Sequence, residues 1–419
     1  MITFFIPFWD TLWIKFMNKK ILMLTTVYPA PDLAVSNNTN VCHYFAQEWV
    51  KQGHEVLVIH NYPIYLRIFH FIAKIFAPLL ASRFNTLITT SYSSTDYFTN
   101  IDDVKVARMP LFKPLPHFAV SPKCLTKQVK KIVSYCNSQH FEPDIITGHF
   151  IYPHVPMINE LKKIYPNAQT CIVVHKQNWK MLKYLGKKPI EELKKIDVFG
   201  FRSIPLKREF EKNTKLRPNH FMCFSGIPKY FQEQNESRII QKPVNKFIYI
   251  GSLIQRKYPE KILNAISQSS IKNNFSIDYV GDGVNRKLIE KIVKENNFEK
   301  NVCLHGFINR QDIPAMLKKA QCFIMISKEE TFGLVYLEAM SMGCITIASR
   351  NEGMEGIIED GKNGFLCEAG NANELSHIID MINSMTDEQL QAISHNAIRT
   401  ALKLTDSNVA KAYVENLII

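Results

Sequence analysis

Glu330 and Glu338 frame the stretch Glu330-Thr331-Phe332-Gly333-Leu334-Val335-Tyr336-Leu337-Glu338-Ala339-Met340. An apolar run, Cys322 to Ile326, leads into it, and Gly333 to Met342 reads as a helix stopped by Gly343. A second apolar run, Cys344 to Ala348, follows. Strand, loop, helix and strand in this order place ligands beyond the carboxyl ends of parallel strands. Glu330 then falls in the loop, where its carboxylate can reach a ligand. Gly333 lets the backbone come close, and the first amides of the helix face an anion. Glu338 lies inside the helix among Leu337, Ala339 and Met340, where burial obliges a carboxylate to find partners or neutralise. A phosphate at the helix start with two carboxylates for hydroxyls is what a nucleotide-activated sugar requires. The plainer reading of such a pair is a solvated helix face, which the apolar surroundings of Glu338 argue against.

These residues need two sets of elements to hold them. At 419 residues the chain is too long for one ordinary core, so two domains are expected. Ile21 to Thr26 reads as a buried parallel strand, and a polar loop, Ser36 to Asn40, opens a helix from Val41 to Gln52. Gly53 ends that helix and His54 to His60 is the next strand, which makes a βαβ unit and implies a doubly wound sheet. Asp144 to Thr147 and Thr170 to Val174 are further strands, ending near His149 and His175. The polar stretch Lys229 to Lys246 marks the expected domain boundary. Beyond it the pattern restarts with Phe247 to Gly251, a helix from Pro259, and Ser276 to Gly281.

Net charge is +13, which favours anionic partners. The basic residues are dispersed without interleaved aromatics, so nucleic acid is not an expected partner. Nine cysteines without a Cys-x-x-Cys argue against a disulfide framework or zinc site and fit a reducing cytosol. Cys303, Cys322 and Cys344 read as small core residues. Met1 to Phe16 is apolar but too short to span a bilayer, and Met17 could be the true start. Ile64 to Phe84 is apolar and aromatic with interspersed Arg67, His70, Lys74 and Arg83, and reads either as a lipid-facing surface or as a buried or lid-forming helix pair.

With those residues in view, the chain resembles retaining glycosyltransferases of family four from Lys20 to its end, most densely from Phe247 to Leu366. Glu330 to Gly333 through Glu338 to Met340 carries the resemblance. Tyr249-Ile250-Gly251-Ser252-Leu253 with Lys257, Gly281-Asp282-Gly283, and Asp360 to Phe365 support it, and Gln52 to Val56 and Pro143 to Ile146 match more loosely. The resemblance implies an α/β chain of GT-B architecture: two Rossmann-like α/β/α domains facing across a cleft. The corresponding division is a leader 1–16, an acceptor-binding domain 17–230, a linker 231–246, a donor-binding domain 247–400, and a C-terminal helix 401–419 packing back on the first domain.

It also implies residue roles. Glu330 would face the donor sugar, Glu338 the ribose, and the backbone of Phe332, Gly333, Leu334 and Val335 the diphosphate. Lys257, helped by Arg256 beside Gly251, would offset phosphate charge. His175, with His149 on the acceptor side, would lie near the reacting centre; both could equally be satisfied core histidines. The substrate implied is a UDP- or GDP-sugar, with no cofactor. No Asp-x-Asp is present, so no metal is expected. The acceptor would be a saccharide or lipid-linked molecule of cell-envelope polysaccharide or glycolipid synthesis, met in the cytoplasm or peripherally at the inner face of the membrane. An epimerase or phosphorylase of the same fold, and a non-catalytic nucleotide-sugar-binding partner, are the competing readings. The sequence departs from the family pattern at Ser252, where arginine is common, in the glycine-free loop Ser36 to Asn40, and at Gly356, where a glutamate is common.

Overall fold

A computed structural model describes residues 18–30, 40–68, 70–72, 93–115, 118–176, 179–233 and 238–418. The leader, residues 36–39 of the polar loop and most of the Ile64 to Phe84 segment lie outside the described residues. The chain divides into two units, and the expected apolar runs form the inner strands of both sheets.

The first unit comprises the chain up to Phe201, with Glu209–Cys223 and Val409–Ile419. Its strands are β1 (Lys20–Thr25), β2 (Glu55–Ile64), β3 (Tyr97–Ile101), β4 (Val104–Phe112), β5 (Ile145–His149), β6 (Gln169–Val174), β7 (Val198–Phe201) and β8 (His220–Met222). They lie in the order β3-β4-β2-β1-β5-β6-β7-β8, and every pairing is parallel except that of β3 with β4. That hairpin was not anticipated. It turns at Asp102 and Asp103, both with positive φ (48° and 64°), the backbone signature of a tight two-residue turn between twisted strands. The Val41–Lys51 helix buries Phe45 and Trp49. Tyr413, from the Asp406–Glu415 helix, packs on both, with ring centroids 5.2 and 5.0 Å away. Trp49 Nε1 donates to the Ala410 carbonyl at 2.9 Å. The end of the chain is thus fastened into the first unit by an aromatic cluster with its polar atoms satisfied.

The second unit comprises Arg202–Arg208 and Phe224–Asn408. Its strands are β9 (Lys246–Ile250), β10 (Ser276–Val280), β11 (Val302–Gly306), β12 (Cys322–Ile324), β13 (Ile345–Ser349) and β14 (Phe365–Cys367). They run parallel in the order β11-β10-β9-β12-β13-β14. This is the dinucleotide-fold order, and it reverses direction between β9 and β12, the position beyond whose strand ends open α/β sheets bind ligands.

Part of the expected linker 231–246 is anchored. Ile240 and Val244 sit in the core of the second unit. The backbone amides of both donate to Gln391 Oε1 and Asn383 Oδ1, each at 3.0 Å. Two apolar anchors with amide side chains satisfying the backbone suffice to dock an otherwise polar stretch. Cys303 also differs from expectation. It is exposed because β11 is an edge strand, whereas Cys322 and Cys344 are fully buried. All nine cysteines are free thiols. No helix among the described residues is long and apolar enough to cross a membrane.

Candidate functional site

In the second unit the loops after β9 and β12 flank the order reversal, and they carry most of the singled-out residues. The β9 loop begins at Gly251 and ends in a short 3-10 turn, Gln255–Lys257, that presents Arg256 and Lys257. The turn is tied to the β12 loop, because the Lys328 amide donates to the Arg256 carbonyl at 2.7 Å. The approach of the neighbouring loop needs glycine. A Cβ on Gly281 would lie 2.1 Å from the Gly251 carbonyl oxygen, and the φ of Gly281 is +124°.

Glu330 meets both cations. Its Oε2 lies 3.7 Å from Lys257 Nζ and 3.8 Å from Arg256 Nη1. That oxygen is buried and accepts no hydrogen bond among the described residues. Burial pushes the Lys257 ammonium below the usual lysine range, with Glu330 opposing the shift and Arg256 reinforcing it. The backbone amide of Glu330 donates to Glu352 Oε2 at 2.8 Å, fixing the loop.

The helix after this loop spans Leu334–Ser341, one residue shorter at each end than the sequence suggested. Gly333 is its N-cap at φ +81°, with no side-chain cap. A Cβ there would fall 2.4 Å from the Tyr336 ring, so only glycine fits. The uncapped first turn leaves its amides available to an anion. Phe332 is buried, stacked on Phe224 (5.7 Å between centroids), with the Arg202 guanidinium 5.4 Å from its ring centroid.

Glu338 is 5% exposed, as its apolar neighbours suggested, but it does not join the Lys257 group. Arg310 donates to Glu338 Oε1 from Nε at 3.0 Å and from Nη2 at 2.5 Å. Burial pushes the Glu338 carboxyl above the usual carboxylate range, and Arg310 opposes that shift. Sequence reasoning missed Arg310. Its signal was a basic residue just past an edge strand, which is too common to single out. Two of the three family departures have local accounts. Arg256 supplies a second cation near Glu330 while Ser252 supplies none, and Glu355 pairs with Arg208 while Gly356 takes φ +80°.

The first unit brings His149 and His175 together. His149 closes β5, His175 follows β6, and Nδ1 of the former lies 3.0 Å from Nε2 of the latter. One nitrogen must donate and the other accept, so the pair cannot be doubly charged and keep this bond. His175 stacks on Phe150, whose φ is +77°, at 4.2 Å between ring centroids.

Residues 231–400 match the family described as Glycosyl transferases group 1. An uncharacterized glycosyltransferase of Methanocaldococcus jannaschii is 28% identical over 195 residues, 42% of this chain and 53% of that protein. The poly(glycerol-phosphate) alpha-glucosyltransferase of Bacillus subtilis is 24% identical over 298 residues, 68% of this chain and 42% of that protein. The chain thus spans about half the length of these curated relatives. Among solved structures, Anabaena HepE in complex with UDP superposes with a TM-score of 0.65 at 16% identity, covering 95% of this chain and 99% of that one. That likeness is one of fold.

Proposed function

We propose, from the match of residues 231–400 to the glycosyl transferases group 1 family, that the chain moves a sugar from a nucleoside-diphosphate sugar to an acceptor hydroxyl, with retention at the anomeric carbon. The observation that carries this reading is the meeting of Arg256, Lys257 and Glu330 beyond β9 and β12, beside the uncapped start of the Leu334–Ser341 helix.

Breaking the bond between the anomeric carbon and phosphate oxygen leaves an oxocarbenium-like sugar and a diphosphate bearing new negative charge. Lys257, Arg256 and the helix amides oppose that charge where it develops, which is the larger share of the work in such a transfer. Glu330 Oε2, which faces both cations but accepts no hydrogen bond among the described residues, is placed to accept from sugar hydroxyls. Arg310 engages Oε1 of Glu338 and leaves Oε2 for the ribose hydroxyls. The acceptor hydroxyl attacks from the side of the leaving group, and its proton passes to a phosphate oxygen. No strong base is required, and the cations at hand make the step independent of a metal. His149 and His175 belong to the acceptor side in this reading.

The Bacillus subtilis relative is named an alpha-glucosyltransferase, and for an α-configured donor an α-linked product means retention. The HepE complex supports a UDP-sugar as donor, with a GDP-sugar as the alternative base. The net charge of +13 suits an anionic, envelope-directed acceptor, either a saccharide or a lipid-linked one, handled in the cytoplasm or at the inner membrane face.

The test incubates the chain with labelled UDP- and GDP-sugars and fractionated envelope lipids and saccharides, with and without EDTA, and reads the product's anomeric configuration by NMR. An α-linked product unaffected by EDTA is expected. A β-linked product overturns retention, and loss with EDTA overturns metal independence. Free epimerised sugar without acceptor would make the chain an epimerase, and binding without turnover would make it a non-catalytic partner.

A further inference from the structure

On the far edge of the second sheet, three side chains line up across two strands. Cys303 and His305 alternate along edge strand β11 and share its exposed face. Asp278 on β10 is the register partner of Cys303, so its side chain joins the same face. His305 Nε2 lies 2.6 Å from Asp278 Oδ1, and His305 Nδ1 lies 3.8 Å from Cys303 Sγ. All three ligand-type atoms fall within 4.8 Å of one another. A shared metal would need one ring nitrogen to face both partners. Here opposite nitrogens do, so the contacts form a line from thiol to imidazole to carboxylate. Cys303 is also the exposed member of the nine thiols; Cys124 is half-buried and the other seven are buried.

We propose that Cys303, with His305 and Asp278, is a reactive thiol site that forms reversible mixed disulfides with low-molecular-weight disulfides. A proton on Nε2 donated to Asp278 leaves Nδ1 as the acceptor facing the thiol. His305 takes the Cys303 proton, and Asp278 stabilises the imidazolium that results. The thiolate attacks one sulfur of the incoming disulfide, whose S–S bond breaks as the Cys303 S–S bond forms. The other half leaves as a thiolate and takes up a proton. Cys303 is oxidised and the reagent reduced by the same electron pair, so no further oxidant enters. None of this draws on the sugar-transfer reading, since neither Glu330 nor Lys257 takes part.

The size of the effect follows from thiol ionisation. An ordinary exposed thiol is about 3% ionised at pH 7. Handing its proton to a neighbouring base accelerates attack about three- to fourfold at pH 7, after allowance for the weaker nucleophilicity of a stabilised thiolate. The experiment treats the full chain with neutral 2,2′-dipyridyl disulfide at pH 7, follows thiopyridone release, and maps the adduct by peptide mass spectrometry. One fast equivalent on Cys303 is expected, absent in Cys303→Ser and slowed about three- to fourfold in His305→Gln. Asp278→Asn keeps the imidazole in place and is expected to slow it about twofold. The urea-unfolded chain gives the reference rate for each variant, so a folding defect is recognised as a return to that reference at all accessible thiols. A Cys303 rate no faster than the reference, or one unchanged in both His305→Gln and Asp278→Asn, overturns the proposal.

Discussion

Replacing Arg310 by alanine leaves the Glu338 carboxylate 5% exposed and without the guanidinium that donates to it twice. Breaking a buried pair by removing one partner costs about 3–5 kcal/mol when both ions are fully desolvated. The Arg310 side chain is 35% exposed, so solvent already screens part of the pair, and about 1–3 kcal/mol is expected. Protonation sets a ceiling. Neutralising a carboxyl of ordinary pKa 4.5 at pH 7 costs about 3.4 kcal/mol, and the variant never loses more than that by charge alone. The dependence on pH follows from the direction of the shift. Burial raises the folded pKa of Glu338 and Arg310 restrains it, so the variant's folded pKa rises further. Between pH 4.5 and that raised value the folded variant holds more protons than the unfolded chain. Its deficit against wild type is therefore full near pH 7 and shrinks as the pH falls toward 4.5. Urea unfolding of wild type, Arg310→Ala and Arg310→Ala/Glu338→Gln at pH 5 and pH 7.5 reads this directly. The double variant, free of the stranded charge, is expected to recover most of the loss. A deficit equal at both pH values, or no recovery in the double variant, refutes the electrostatic reasoning and assigns the cost to packing of the arginine stem.

Gly333→Ala forces a left-handed residue and a Cβ 2.4 Å from the Tyr336 ring; about 2 kcal/mol or more of stability loss by urea unfolding is expected. Lys257→Met removes the half-buried cation facing Glu330, and kcat for sugar transfer is expected to fall about 10²- to 10³-fold. His154 is fully buried, and burial pushes its pKa down to about 4. Its contribution is present above pH 6.5 and lost as the pH falls through that window to 4, so His154→Gln is expected to flatten the acid limb of the stability curve by about 3 kcal/mol.

What the sequence made legible follows periodicity and glycine. The inner strands of both sheets are uniformly apolar runs, and Gly333, Gly281 and Gly343 mark turns that no other residue fits easily. Glu330 stood out because a loop between an apolar strand and an apolar helix is a ligand position in any parallel sheet. What stayed hidden depends on pairing between segments far apart in the chain. Arg310 reaches Glu338 only because β11 lies on the same side of the reversal as β9. Cys303 read as a core residue because its strand carries apolar neighbours. Only the placement of β11 at the sheet edge exposes alternate residues, and only the register of Asp278 with Cys303 assembles the triad. Ile240 and Val244 were overlooked because two apolar residues in a polar stretch carry no period.

The donor site is tested most directly by thermal unfolding with a panel of UDP-, GDP-, ADP- and CMP-sugars, wild type against Glu338→Ala. A ligand at a hundred times its dissociation constant adds about 2.7 kcal/mol of stability, which is visible as a raised midpoint. The account predicts a rise with a UDP- or GDP-sugar in the wild type and its loss in Glu338→Ala. No rise with any nucleotide sugar, or an equal rise in both proteins, would contradict it.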